Sequence, residues 1–170
     1  MVKLNLKGKE WLFILIAGIL AIIVVIVPAF ILPNLSGSSG NQYLLWVIGY
    51  VLQIDNGVID LNDSGFQEGS VAVAGGIFSI LLMIIGLILI ISAIMTKFTT
   101  KQLPFKAYIW LFAGLFLFIS PYLLRLGYIA GGLDEGVYGF GYGFDLYSPF
   151  MSFAGLFGMV FGMQEFKKER

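Results

Sequence analysis

The chain has 170 residues, of which 59% are hydrophobic and only 12% charged, with ten Lys plus Arg balancing ten Asp plus Glu. A soluble domain carries about a quarter charged residues, so this composition reads as a chain solvated by lipid. A net charge of zero removes the basic field that nucleic acid requires, and the lack of Cys and His removes disulfides, thiolate and imidazole catalysis and the usual zinc sites.

Four apolar stretches follow in chain order. The first, residues 11–32, runs 22 residues without a charge, enough to cross a hydrocarbon layer of roughly 30 Å as a helix. It is too long for a signal-peptide core and no small-x-small site follows, so it reads as an uncleaved anchor. The second covers residues 70–96. The third covers 107–130, with Pro121 kinking it near its end and Arg125 beyond. The fourth, 146–164, opens with Ser148 and Pro149, which suit a helix start, and stops at a polar tail. The expected fold is an all-α membrane protein: one integral membrane domain, 1–170, built as a four-transmembrane-helix bundle. Its outer loops are 33–69 and 131–145, and its inner loop is 97–106.

Charge fixes the expected orientation, because Lys and Arg near helix ends stay cytoplasmic. Lys3, Lys7, Lys9, Lys97, Lys101, Lys106, Lys167, Lys168 and Arg170 flank one side of these spans, with only Glu10, Glu165 and Glu169 against them. The other side holds seven acids, and Arg125 is the one basic residue near it. A multi-pass protein of the cell membrane with both termini cytoplasmic is expected.

The first outer loop is long for a connector and a natural seat of function. Residues 43–54 are almost wholly apolar, and Asp55, Asn56 and Gly57 lead into the alternating run Val58, Ile59, Asp60, Leu61. Asn-Gly between β-prone runs is the strongest short hairpin signal, since both central residues of a type I′ turn need positive φ. A small β-hairpin or sheet on the outer ends of the helices is expected. An amphipathic helix lying in the headgroups is the alternative for this segment.

At this loop the chain resembles the claudin-type tetraspan superfamily. Four spans, cytoplasmic termini, a larger first outer loop and a smaller second accompany Leu45-Trp46, Gly57 and Val58 to Asp63, which fall roughly where claudins carry a Gly-Leu-Trp segment and a strand hairpin. The chain departs from the pattern in having Leu44 before Leu45 and no cysteines to staple the hairpin. The resemblance implies an outer β-sheet on a left-handed helix bundle, and lateral assembly or adhesion as the function.

Asp60, Asn62, Ser64, Gly65 and Glu68 stand at positions 1, 3, 5, 6 and 9 of a calcium-loop pattern, with Val71 where a closing Glu belongs. Such an incomplete oxygen set predicts affinity on the order of 10⁻⁴ to 10⁻³ M at best; a polar turn is the alternative, and no other cofactor is expected. Asn34 and Asn62 each begin an N-glycosylation pattern on the expected outer face. In the second loop Tyr138, Phe140, Tyr142 and Phe144 alternate with small residues, so an extended strand would line up four rings. They read as an interfacial aromatic belt or as a docking surface.

No carboxylate interrupts the expected spans, which argues against a proton relay or coupled transport. Arg125 should reach the outer headgroups, paired with lipid phosphate or with Glu68, Asp134 or Asp145; alternatively it charges the mouth of a cavity. Gly158 and Gly162 form a GxxxG pair, for packing within the chain or against a partner. The expectation is a non-enzymatic membrane protein whose partners are the bilayer and other membrane subunits or copies of itself. Trp46, Asn56, Gly57, Arg125, Tyr138, Phe140, Tyr142, Gly158 and Gly162 supply its contact surface. A channel or facilitator for a small solute is the rival.

Overall fold

The computed structural model describes residues 8–33, 42–67, 69–98, 105–130 and 144–169. Among them lie four helices, α1 (Glu10–Ile26), α2 (Ser70–Phe98), α3 (Lys106–Ala130) and α4 (Tyr147–Glu169). They also form five strands, β1 (Phe30–Pro33), β2 (Gln42–Leu45), β3 (Tyr50–Asp55), β4 (Val58–Phe66) and β5 (Phe144–Asp145). The strands make one antiparallel sheet in the order β4-β3-β2-β1-β5.

This overturns the expected all-α, four-span bundle. The fold is α+β, and among the described residues only α2 and α3 are long and apolar enough to cross a membrane. Two local causes account for the difference. The apolar run 11–32 breaks before Pro28, whose ring and missing N–H forbid helix continuation. Phe30–Pro33 then pairs as a strand with Gln42–Leu45. What remains of the run is a 17-residue helix, about 26 Å long and short of a full hydrocarbon thickness. In α4, Ser148, Pro149, Ser152, Gly155, Gly158 and Gly162 dilute the apolar content below that of a spanning helix.

The helices pack α1 against α2 and α4, and α3 against α2 and α4, around a core that includes Ile14, Leu82, Leu89, Trp110, Leu117 and Met151. Two of these contacts depend on absent side chains. A Cβ on Gly18 of α1 would lie 2.7 Å from the Gly86 oxygen of α2. One on Gly158 of α4 would lie 2.6 Å from Gly114 Cα of α3, and one on Gly162 would lie 2.6 Å from Leu111 N. Such close backbone approach maximises dispersion contact between the helices. Gly158 and Gly162 therefore serve packing within the chain; the face they form is occupied by α3. Pro121 is tolerated inside α3 because the Ser120 hydroxyl donates at 2.8 Å to the carbonyl of Leu117, which Pro121 cannot serve.

Gly158→Val should lower stability by about 1–3 kcal/mol or more, since the displaced atoms are backbone. Gly76→Ala, where an added Cβ meets nothing within 4 Å, should be neutral or slightly stabilising. Unfolding of the two variants in detergent against the parent protein measures the difference.

Candidate functional site

The sheet stands on one end of the helices, and its polar groups are fastened there. The loop from Trp46 to Gly49, between β2 and β3, presses onto α2 so tightly that a Cβ on Gly75 would lie 2.5 Å from the Val47 oxygen. Gly49, at φ +85°, makes the turn that this approach requires. Trp46 Nε1 donates at 2.9 Å to the Ile26 carbonyl, one of the orphaned acceptors at the end of α1. The Tyr128 hydroxyl of α3 is fully buried and donates at 2.8 Å to the Val47 carbonyl. Trp46, read as a contact residue, thus joins the sheet to its own helices. Tyr128 escaped the sequence reading; its signal was its place three residues after Arg125, on the same helical face.

Arg125 lies beside this clasp. It is only 7% exposed, forms an ion pair with Asp145 and sits with its guanidinium carbon 5.9 Å from the centre of the Phe30 ring. Of the partners read from sequence, Asp145 pairs with it among the described residues, and Glu68 and Asp134 lie outside them. Arg125 is thus a buried, ion-paired group here. Asp145 also accepts the Ser148 N–H at 2.9 Å and the Ser148 hydroxyl, so it caps the first turn of α4. Its backbone pairs with Phe30 in the sheet. One residue therefore joins a strand end through its backbone, and a helix start and a buried cation through its carboxylate.

The hairpin is present as β3 and β4. Asn56 (φ 48°) and Gly57 (φ 83°) form its turn, and Asn56 Nδ2 donates to Asp55 Oδ1 at 2.9 Å. It is one part of a five-stranded sheet, and the interfacial-helix alternative does not occur. Along β4 the register jumps, with Gln53 opposite Asp60 but Val51 opposite Gly65, so the strand bulges between these pairs. Asp60 Oδ1 accepts the Asn62 N–H at 2.9 Å, while the Ser64 hydroxyl donates to the Asp60 carbonyl and accepts the Gln53 N–H at 3.0 Å. The side-chain oxygens of Asp60 and Ser64, with the Asn62 N–H, thus close a β-bulge. Among the described residues no group of three or more His, Cys, Asp or Glu could hold a metal ion. Glu68, Asn34, Tyr138, Phe140 and Tyr142 lie outside the described residues; Asn62 is exposed on the bulge.

At the opposite end of the helices, Glu165 of α4 bonds Lys106 of α3 and Lys168, each at 2.5 Å, and Lys168 reaches Glu10 of α1 at 3.2 Å. Burial works to raise the Glu165 carboxyl, but the two ammoniums more than offset it and hold the group below its usual range. Lys168 is raised, chiefly by its bond to Glu165, against a smaller opposing effect of burial. Between the two ends, α2 and α3 part to leave a groove of about 350 Å³ lined by Leu81, Ile85, Ile88, Ile109, Phe112, Ala113 and Phe116. The Phe78–Phe116 stack and the Trp110 Nε1 to Ser92 Oγ bond of 2.9 Å join these two helices as well. A wholly apolar lining has nothing with which to orient a polar solute. No family model matches this chain, and no curated protein or solved structure shows significant similarity to it.

Two outcomes are expected. Asp145→Ala should destabilise by about 3–5 kcal/mol, because it removes one partner of a buried ion pair. Adding Arg125→Met should recover much of that loss; a double-mutant cycle on unfolding reads it. Because the folded pKa of Glu165 is lowered, its stabilising contribution is complete above the ordinary carboxylate pKa and disappears as pH falls through the folded value. Glu165→Gln should therefore flatten the acid side of the stability profile. Lys168, raised, contributes below its ordinary pKa and loses that contribution as pH rises through its folded value.

Proposed function

We propose that this is a membrane-inserted protein that works through contacts with other proteins and has no chemistry of its own, as an accessory subunit of a membrane complex or in a lateral or adhesive assembly. The observation that carries the reading is the direction in which the helices are apolar. Only 33% of the apolar window of α2 and 39% of that of α3 is buried inside the protein, unlike the core helix of a soluble domain. Ile77, Ile84, Ile91, Phe112, Leu115 and Leu126 all face outward. A water-soluble monomer does not carry so continuous an apolar surface; hydrocarbon accounts for it.

Lys97, Lys106, Lys167 and Lys168 gather at the end away from the sheet, and the tendency of such charge to stay in the cytoplasm supports a reading with both termini inside and the sheet outside. The polar groups at the junction of sheet and helices are used to hold elements together, which suits a scaffold better than an active site. The resemblance to claudin-type tetraspans adds the expectation of lateral or adhesive contact. Its support here is a sheet raised on one end of the helices, from the segment between α1 and α2 plus one strand before α4.

Purification from native membranes should yield stoichiometric partner subunits or self-assemblies. Solute flux through vesicles holding this protein alone would favour the rival, a channel or facilitator. Residues 33–69 and 131–145 contain no lysine, so an impermeant amine reagent added to sealed cells should leave the protein unlabelled until the membrane is opened. Labelling of intact cells would reverse the orientation.

A further inference from the structure

The β3–β4 hairpin extends about 17 Å from Tyr50 to its turn, at the usual rise per strand residue. Along that extension Val58 is 70% exposed, Ile59 54% and Leu61 75%, on the strand that forms an open edge of the sheet. The bulge after Asp60 interrupts regular pairing and leaves Leu61 turned outward, a common use of bulges. The patch lies toward the turn, at the end of the hairpin away from the start of α2. Asp55 and Asp60 flank it, and no Lys or Arg occurs in residues 33–69 or 131–145.

We infer that the hairpin tip, at Val58, Ile59 and Leu61 between Asp55 and Asp60, is a docking surface for a different protein that presents apolar side chains interspersed with Lys or Arg. The inference rests on the contact reading above and names the surface and the partner's chemistry. A second copy is a poor occupant: its outer segments repeat the same acids, and Arg125 is buried in the ion pair with Asp145. Like charges brought together across an interface oppose association, whereas complementary ones speed it and fix register. An anionic lipid surface is repelled by the same carboxylates.

The test uses the full chain in zwitterionic nanodiscs and two synthetic peptides of equal length, one alternating Val with Lys, the other Val with Glu. The Lys peptide should bind and the Glu peptide should not. Binding should weaken on the order of tenfold on raising salt from a low to a physiological level, as expected for an exposed charged interface. Leu61→Ser and Asp55→Lys should each weaken it by a similar factor with little change in the unfolding midpoint, since both side chains are exposed and Asp55 gives up only an exposed bond from Asn56. Equal binding of the two peptides, or binding indifferent to both substitutions, overturns the inference. Because the chain has no Cys, Ile59→Cys introduces a single thiol; efficient disulfide cross-linking between two copies in the membrane would make the occupant a second copy and also overturn it. If native partners co-purify equally with the parent and with the Leu61→Ser, Asp55→Lys double variant, this surface is refuted while the contact reading stands. Absence of any partner together with solute flux would sink the contact reading itself.

Discussion

The outward-facing apolar residues of the helices are the constraint from which the rest follows. If, as proposed, hydrocarbon lies outside as well as a core inside, burying apolar area no longer distinguishes folded from unfolded helices, and the pairing comes from close contact and from polar fastening. The structure has both. Glycines let α1 approach α2 and α4 approach α3 backbone to backbone. Among the described residues the ion pairs lie at the two ends of the helices, and a buried Trp110 to Ser92 bond joins α2 and α3 between them.

The sheet end shows how few groups that fastening takes. Arg125 and Asp145 come from α3 and β5, Trp46 and Val47 from the loop between β2 and β3, Ile26 from the end of α1 and Tyr128 from α3. Together they tie the sheet to the helix ends without a covalent bond, which matters in a chain with no cysteine. The opposite end is held by Glu10, Lys106, Glu165 and Lys168, on three helices. The hairpin's exposed apolar residues take no part in this fastening, and this is why the surface for partners is sought there.

Much of this was legible where the signal is local. Asn56-Gly57 has one favoured backbone solution, and the turn adopts it. Residues 70–96 and 107–130 are helical because their apolar runs are long enough to leave little choice. Signals that depend on distant partners were not legible. The run 11–32 looks continuous because a short buried strand and a buried helix have the same composition, and only Pro28 marks the change. The alternating oxygens from Asp60 to Ser64 serve a bulge because β3 lies opposite with Gln53 to satisfy. Which face Gly158 presents could not be read without knowing where α3 runs, and Lys168 finds Glu10 from 158 positions away.

The central claim, that hydrocarbon surrounds the helices while the hairpin stands in water, is tested most directly by solvent access at two single thiols. Ile84→Cys lies on the exposed face of α2, and Val58→Cys lies beside the hairpin turn. In intact membranes an impermeant, water-soluble maleimide should react with the thiol at position 58 from outside and leave that at position 84 untouched until detergent denaturation. Reaction at position 84 as fast as at position 58 would mean that water, not lipid, bathes the helices, and the account would fail.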